Sequence, residues 1–464
     1  MKALLILFVT AIVVLFAGLS AKRQTLVLLA LGGVLIALGA TVSDLLVGDT
    51  TGWNEMYATM FRFDNYALAF GAVILLTTAL LFGLSGWGFR HLSDTLGDNY
   101  GLILFSICGA FCMFSFTNMI MLFLGIEILS IPLYVLAGSR RDNLASNEAA
   151  LKYFLMGSFA TGILLFGITL VYGSCGTFDL QGIASAVQSG RATGNMFSIG
   201  ILLIVAGLSF KVSAVPFHFW APDVYSGSPN MITAFMATVV KTAGFAAFYR
   251  LFSTAFVDSG EVWNVAIAAI AALTMTLANT TALFQKDFKR MMAYSSISHA
   301  GYLLLAILVA GQTGAASAIL LYTLAYSIAT VCAFAVYMTV AEQNADGNFS
   351  AFNGLSKKEP LLAAVMAISV LSLAGIPPTV GFFGKYFLFT AAFEAYPWLI
   401  VLAVINSAIS IYYYFKVIIA MYFTSDENAY TVSVPVAFRW VMLVGILLIG
   451  LLTVSPDTIL GLIP

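Results

Sequence analysis

The stretch GLSFKVSAVPFHFWAPDVYSGSP, residues 207–229, decides how the rest of the chain is read. It sets a lysine, a histidine, an aspartate and three prolines directly after the apolar run Ile199 to Phe210. A lysine at the centre of a membrane helix costs about 2.5–3.5 kcal/mol, so Lys211 should face a polar interior and act there. Pro216 removes a backbone donor and breaks the helix, and broken backbone at membrane depth is tolerated only where protein or a water-filled cavity satisfies it. The two features together predict an ion path.

Composition supports the membrane reading. The 464 residues are 61% hydrophobic and 9% charged, with mean hydropathy +0.99; a soluble domain carries about 25% charged residues. A net charge of −1 gives no sign of nucleic acid as a partner. Cys108, Cys112, Cys175 and Cys332 form no CxxC or Cys/His pattern, so the chain is expected to hold no metal or iron–sulfur cluster. Neither GxGxxG after a strand nor GxxxxGK[ST] occurs, so no nucleotide cofactor is expected here. The first apolar run starts like a signal peptide, but Lys22 and Arg23 follow it and a second run begins at once; a retained span is expected.

With about 20 apolar residues needed to cross a bilayer, fourteen spans are expected, near residues 3–19, 24–45, 65–86, 99–115, 117–138, 148–173, 195–214, 229–253, 262–284, 290–311, 314–341, 360–394, 397–422 and 437–455. The fold class is therefore all-α and polytopic. The twelfth run is too long for one straight helix and carries Pro377 and Pro378, so it should break as the seventh does. Alternate loops put Lys22, Arg23, Arg90, Arg140, Arg141, Lys286, Lys289, Arg290, Lys357, Lys358 and Arg439 on one face, and Lys2, Arg62, Arg191 and Arg250 on the other. The positive-inside rule then places both termini outside a bacterial inner membrane or its organellar equivalent.

Five basic residues remain. Lys416 should snorkel, Lys152 opens the sixth span, and Lys211, Lys241 and Lys385 lie inside spans as functional candidates. Glu127 is the one acid clearly at membrane depth, and buried lysines give it a counter-charge. His299 is a weaker candidate, and His218 beside Trp220 reads equally well as an interfacial residue. Gly207-x-x-x-Lys211 and Gly381-x-x-x-Lys385 share a spacing in the two interrupted spans, five spans apart. An odd offset inverts an element, so spans four to eight and nine to thirteen are expected to be inverted repeats, with Glu127 matching His299. The chain then divides into an N-terminal three-helix segment (1–98), a first repeat (99–253), a second repeat (254–425) and a C-terminal helix (426–464).

VPFHFWAPDVYSGSP (215–229) and KRMMAYSSISHAGY (289–302) resemble signatures of the antiporter-like subunits of proton-pumping NADH:quinone oxidoreductase, respiratory complex I, which are similar to Mrp-type sodium/proton antiporter subunits. GIEILSIPLYVLAGSRR (125–141), with fourteen spans and no long lateral C-terminal helix, looks most like the N-type subunits. An M-type subunit is expected to have glutamate where this chain has Lys385. The resemblance covers residues 65–425 and implies functional roles for Glu127, Lys152, Lys211, Lys241 and Lys385. It further implies proton translocation with no redox centre in the chain. NAD, FMN, iron–sulfur clusters and quinone are then expected in partner subunits, and the M-type neighbour and the small membrane subunits are expected beside it.

A free lysine, with a pKa of about 10.4, holds its proton at neutral pH, so a relay needs desolvation and neighbouring cations. On this reading Glu127 is an electrostatic switch near Lys211, Lys211 the central input, Lys241 the connector and Lys385 the exit-side donor. Two rivals stand beside it: a stand-alone cation/proton antiporter, and a scaffold in which the lysines are dispensable. Sodium favours carboxylates and carbonyls, and one glutamate among lysines is a poor site for it.

Overall fold

The computed structural model describes residues 1–47, 55–89, 95–192, 194–341, 347–424 and 434–463, apart from the Trp87 side chain. Arg90 of the basic-loop count and the division at 425/426 lie outside the described residues. Long apolar runs leave the backbone only one way to pair its polar groups in lipid, which is within a helix. The helices are α1 (Lys2–Ala17), α2 (Arg23–Val47), α3 (Asn65–Gly88), α4 (Leu96–Ser115), α5 (Met119–Ala137) and α6 (Leu144–Cys175). After a short outer helix α7 (Leu180–Gln188) come α8 (Asn195–Lys211) and α9 (Trp220–Gly227). Next are α10 (Asn230–Thr254), α11 (Gly260–Ala282), α12 (Phe288–Leu308) and α13 (Ala315–Ala341). The chain closes with α14 (Pro360–Ala374), α15 (Val380–Phe393), α16 (Pro397–Phe423) and α17 (Val436–Val454). Eleven are long and apolar enough to cross a membrane, and α1, α8, α14 and α15 are shorter apolar helices. With α14 and α15 as halves of one span, the described residues hold the fourteen spans expected.

Both expected breaks are present. The seventh span stops at Lys211 and resumes at Trp220, around Pro216; the twelfth stops at Ala374 and resumes at Val380, around Pro377 and Pro378. Gly375, at φ 79°, ends α14 in the left-handed region that a side chain disfavours.

The inverted repeat shows in the backbone. Asn118 caps α5 by accepting the Ile120 N–H, and Asp287 caps α12 by accepting the Arg290 N–H. Asn118 pairs with Asp179, and Asp287 with Asn348, through isolated antiparallel bridges at the same chain offset. In each, the first helical residue donates across: Met119 N–H to Phe178 C=O at 3.0 Å, Phe288 N–H to Gly347 C=O at 3.0 Å. Packing repeats as well, α4 along α5 as α11 along α12, and α6 along α8 as α13 along α14 and α15. Carried along that offset, His299 falls on Ser130 and Glu127 on Ser296, not on each other as the Gly-x-x-x-Lys spacing suggested.

At the centre lie α10 and α13, whose apolar windows are 100% buried, whereas α2, α6 and α17 are 33% buried and line the rim. Two residues read as loop cations are interior. Arg250, 8% exposed, pairs with Asp64 at 2.5 Å and lies over the Tyr66 ring. Lys289 is 6% exposed. Lys416 is half-buried, its ammonium donating to the Leu283 carbonyl just beyond the end of α11. In each case the cation finds a half-buried carboxylate or a helix-end carbonyl, which hydropathy alone does not reveal.

Candidate functional site

Lys211 is the last residue of α8, where helix-end carbonyls favour a cation. It is buried, and its Nζ donates to Ser130 Oγ at 2.6 Å; Ser130 in turn donates to the Ile126 carbonyl. Glu127 sits one turn before Ser130 on α5, half-buried, and makes no ion pair within 4.0 Å among the described residues. Its charge nonetheless reaches Lys211 and Tyr134. The switch reading calls for direct or one-water coupling of Glu127 to Lys211; the direct acceptor of the Lys211 ammonium is Ser130 Oγ, one turn along the same helix face and closer to the break.

Lys241 follows a single π turn, Met236–Val240, in the middle of α10, a local widening common at functional positions. It is 3% exposed. Its ammonium donates to the Ser296 carbonyl and, at 3.4 Å, to Ser213 Oγ. Ser213 belongs to the broken stretch after Lys211 and has φ 58°, a conformation costly for a residue with a Cβ. The break thus sets a hydroxyl on the way from Lys211 to Lys241.

Lys385 lies in the second turn of α15 and points back across the second break. Its Nζ donates to the Ala374 carbonyl at 2.7 Å and to Ser407 Oγ at 2.8 Å, 5.0 Å from the Tyr302 ring centre. His299 engages hydroxyls with both nitrogens, Nδ1 with Tyr322 at 2.6 Å and Nε2 with Tyr414 at 3.1 Å. One of these accepts and the other donates in a neutral imidazole. A small cavity of about 10 Å³, lined by His299, Tyr322, Tyr326, Ser372 and Lys385, lies between the histidine and Lys385.

The structure therefore brings Lys211, Lys241, His299 and Lys385 into one buried row, each held by its own hydroxyls or carbonyls. Lys152 stands apart. Its side chain is 39% exposed and pairs with Asp223 at 2.6 Å and with Glu148 at 2.7 Å; Arg290 reaches the same Asp223 at 3.1 Å. His218 is 4% exposed, with its ring against Phe219. Sequence reasoning passed over Ser130, Ser213, Tyr322, Ser407 and Tyr414, since hydroxyls are common in membrane helices; only the three-residue step from Glu127 to Ser130 marks one of them.

A family described as "NADH:quinone oxidoreductase/Mrp antiporter, TM" matches residues 116–410. NADH-quinone oxidoreductase subunit N of Cytophaga hutchinsonii is 41% identical, covering 96% of this chain and 95% of that one. A chain of respiratory complex I from Thermus thermophilus, solved with bound aureothin, superposes with a TM-score of 0.82 at 33% identity, covering 99% of this chain and 98% of the other. A chain of the Mrp complex from Dietzia shares the fold, with a TM-score of 0.83 at 19% identity, over 99% of this chain and 95% of its own.

Proposed function

Because the chain belongs to the NADH:quinone oxidoreductase/Mrp antiporter membrane family, we propose that it is a proton-translocating membrane subunit of an NADH:quinone oxidoreductase, working as an N-type subunit. The observation that carries this reading is the buried row: three ammoniums, none ion-paired among the described residues, each held by neutral oxygens. Such cations exchange protons through hydroxyls and water without a metal ion having to bind, and a site of ammoniums repels sodium. Glu127 acts as the electrostatic switch, Lys211 as the input, Lys241 as the connector, His299 as the bridge and Lys385 as the exit-side donor. Lys152 belongs to the basic-side surface of the path. The groups titrate as a coupled set.

Both termini lie on the outer side, the repeats divide at 99–253 and 254–425, and the M-type and small membrane subunits flank the chain. Quinone reduction takes place in partner subunits that carry NAD, FMN and iron–sulfur clusters, and this chain receives its drive as a changed charge state next to Glu127. The test is NADH-driven acidification by the whole complex in proteoliposomes, with Lys241→Ala against the unmodified chain. Acidification should collapse while the complex assembles. Alone in liposomes the chain should show only passive proton movement, reduced by Lys241→Ala. Sodium–proton exchange by the lone chain, indifferent to Lys241→Ala and Lys385→Ala, would favour the antiporter instead.

A further inference from the structure

Most of the buried hydroxyls without a hydrogen-bond partner among the described residues lie on three neighbouring helices. They are Ser226 and Ser228 at the end of α9, Ser296 on α12, and Tyr326, Ser327 and Thr330 on α13. Buried polar atoms are ordinarily paired, and hydroxyls grouped in this way offer partners to water between the helices. Three of them, Ser296, Tyr326 and Thr330, are neighbours. Lys241 donates to the Ser296 carbonyl, and the hydroxyls of Tyr225 and Tyr326 face Ser296. Thr330 is one helical turn beyond Tyr326 in the direction of the basic loops, and Ser226 and Ser228 follow Tyr225 where α9 ends. This series of hydroxyls thus leads from Lys241 towards the basic face.

Lys289 stands at the far end of it. The residue is 6% exposed, and its Nζ donates to the Ser226 carbonyl at 2.9 Å and the Ser228 carbonyl at 2.6 Å. Those carbonyls belong to the C-terminal end of α9, where a positive charge is favoured. Asp287 and Arg140 are the other charges it feels, and it forms no ion pair within 4.0 Å among the described residues. A buried ammonium without a carboxylate in contact repels any cation that must pass it whole. A proton need not pass whole, since each hydroxyl or water takes one proton on one side and gives up another on the far side.

We propose that Lys289 is a charge filter at the mouth of a hydrated passage between α9, α12 and α13, which admits protons to Lys241 and turns away Na⁺ and K⁺. This rests on the relay reading above. The test uses the whole complex in proteoliposomes, reading passive ²²Na⁺ flux and NADH-driven acidification side by side. Lys289→Met should raise the sodium flux by about tenfold and Lys289→Arg should not. Thr330→Val, which swaps the hydroxyl for a methyl of the same size, should lower acidification severalfold without any sodium leak.

A Lys289→Met complex as sodium-tight as the unmodified one overturns the filter. So does one that fails to assemble where Lys289→Arg assembles, because Lys289 then only pins α9. Normal acidification in Thr330→Val overturns the passage, whatever the Lys289 variants do. Lys241→Ala separates the two readings: lost acidification there alongside a sodium-tight Lys289→Met removes the filter and keeps the relay, whereas unchanged acidification removes the relay.

Discussion

At the first break the lysine belongs to the half-helix that ends there: Lys211 closes α8 and lies beside Ser130. At the second the lysine comes from the half-helix that begins, and Lys385 on α15 reaches back to the carbonyl of Ala374, the last residue of α14. Lys211 and Ala374 hold the same position relative to their breaks. Two opposite routes therefore bring an ammonium to the carboxyl end of a half-helix, where unpaired carbonyls attract it. What differs is the counter-charge. Glu127 reaches Lys211 electrostatically, whereas Lys385 is held by a carbonyl, a hydroxyl and an aromatic face. On the proposed relay, the first half would be biased by a change in one carboxylate, and the second would follow what reaches it from Lys241 and His299.

The largest effect should come from cutting the link between the halves. Lys241→Ala is expected to lower NADH-driven proton pumping by at least about tenfold, some 1.4 kcal/mol on the barrier, with normal subunit content on a membrane blot. Pumping that persists would mean that each half works without the other.

The shared Gly-x-x-x-Lys spacing supplies the next test. A methyl on Gly381 would meet the Ser372 carbonyl oxygen at 1.8 Å, whereas one on Gly207 would meet the Leu164 Cβ at 2.7 Å. A carbonyl inside a helix cannot step aside as readily as a side chain. Gly381→Ala should destabilise by about 1–3 kcal/mol or more and reduce assembled complex, while Gly207→Ala costs less. Equal losses, read as thermal inactivation of the purified complex, would put the two glycines back in one role.

That spacing also marks where sequence stops being informative. The fourteen spans, both breaks and the lysine row are legible because apolar runs, prolines and lone cations in lipid each have a large cost that admits few solutions. The match between Lys211 and Lys385 is not legible. It depends on which side of each break the lysine stands, and the proline positions alone do not say where α8 and α14 end. Ser130, Ser407 and Tyr414 are hidden for a related reason, since a hydroxyl satisfied by its own helix looks the same in sequence as one that binds an ammonium. Lys289 and Arg250 are buried, which charge counting does not show because it treats every basic residue near a span end as solvated.

Glu127→Gln sharpens the difference in counter-charge. With Ser130 between them, the carboxylate acts on Lys211 across space rather than through a hydrogen bond, so the loss should be moderate. Turnover coupled to quinone reduction is expected to fall roughly threefold, ~0.7 kcal/mol, with assembly intact. The matching change in the second half, Ser407→Ala, removes a neutral acceptor and should be milder still. A larger effect from Ser407→Ala than from Glu127→Gln would show that the carboxylate is not the switch.

The smallest effect is expected at Lys152, the one member of the lysine set outside the row. Its side chain is 39% exposed and shares Asp223 with Arg290, so Lys152→Met leaves that carboxylate paired, and Glu148 faces solvent. Exposed ion pairs contribute little, because both groups are well hydrated when apart. Pumping should fall by no more than roughly twofold, against a severe loss in Lys211→Met, when the two are measured in the same proteoliposomes. An equal loss in both would require the Lys152 ammonium to leave Asp223 and turn inward towards Lys211 during turnover. Asp223→Asn would then raise pumping by releasing it, whereas on the present geometry it lowers pumping slightly by freeing Arg290 from the end of α9.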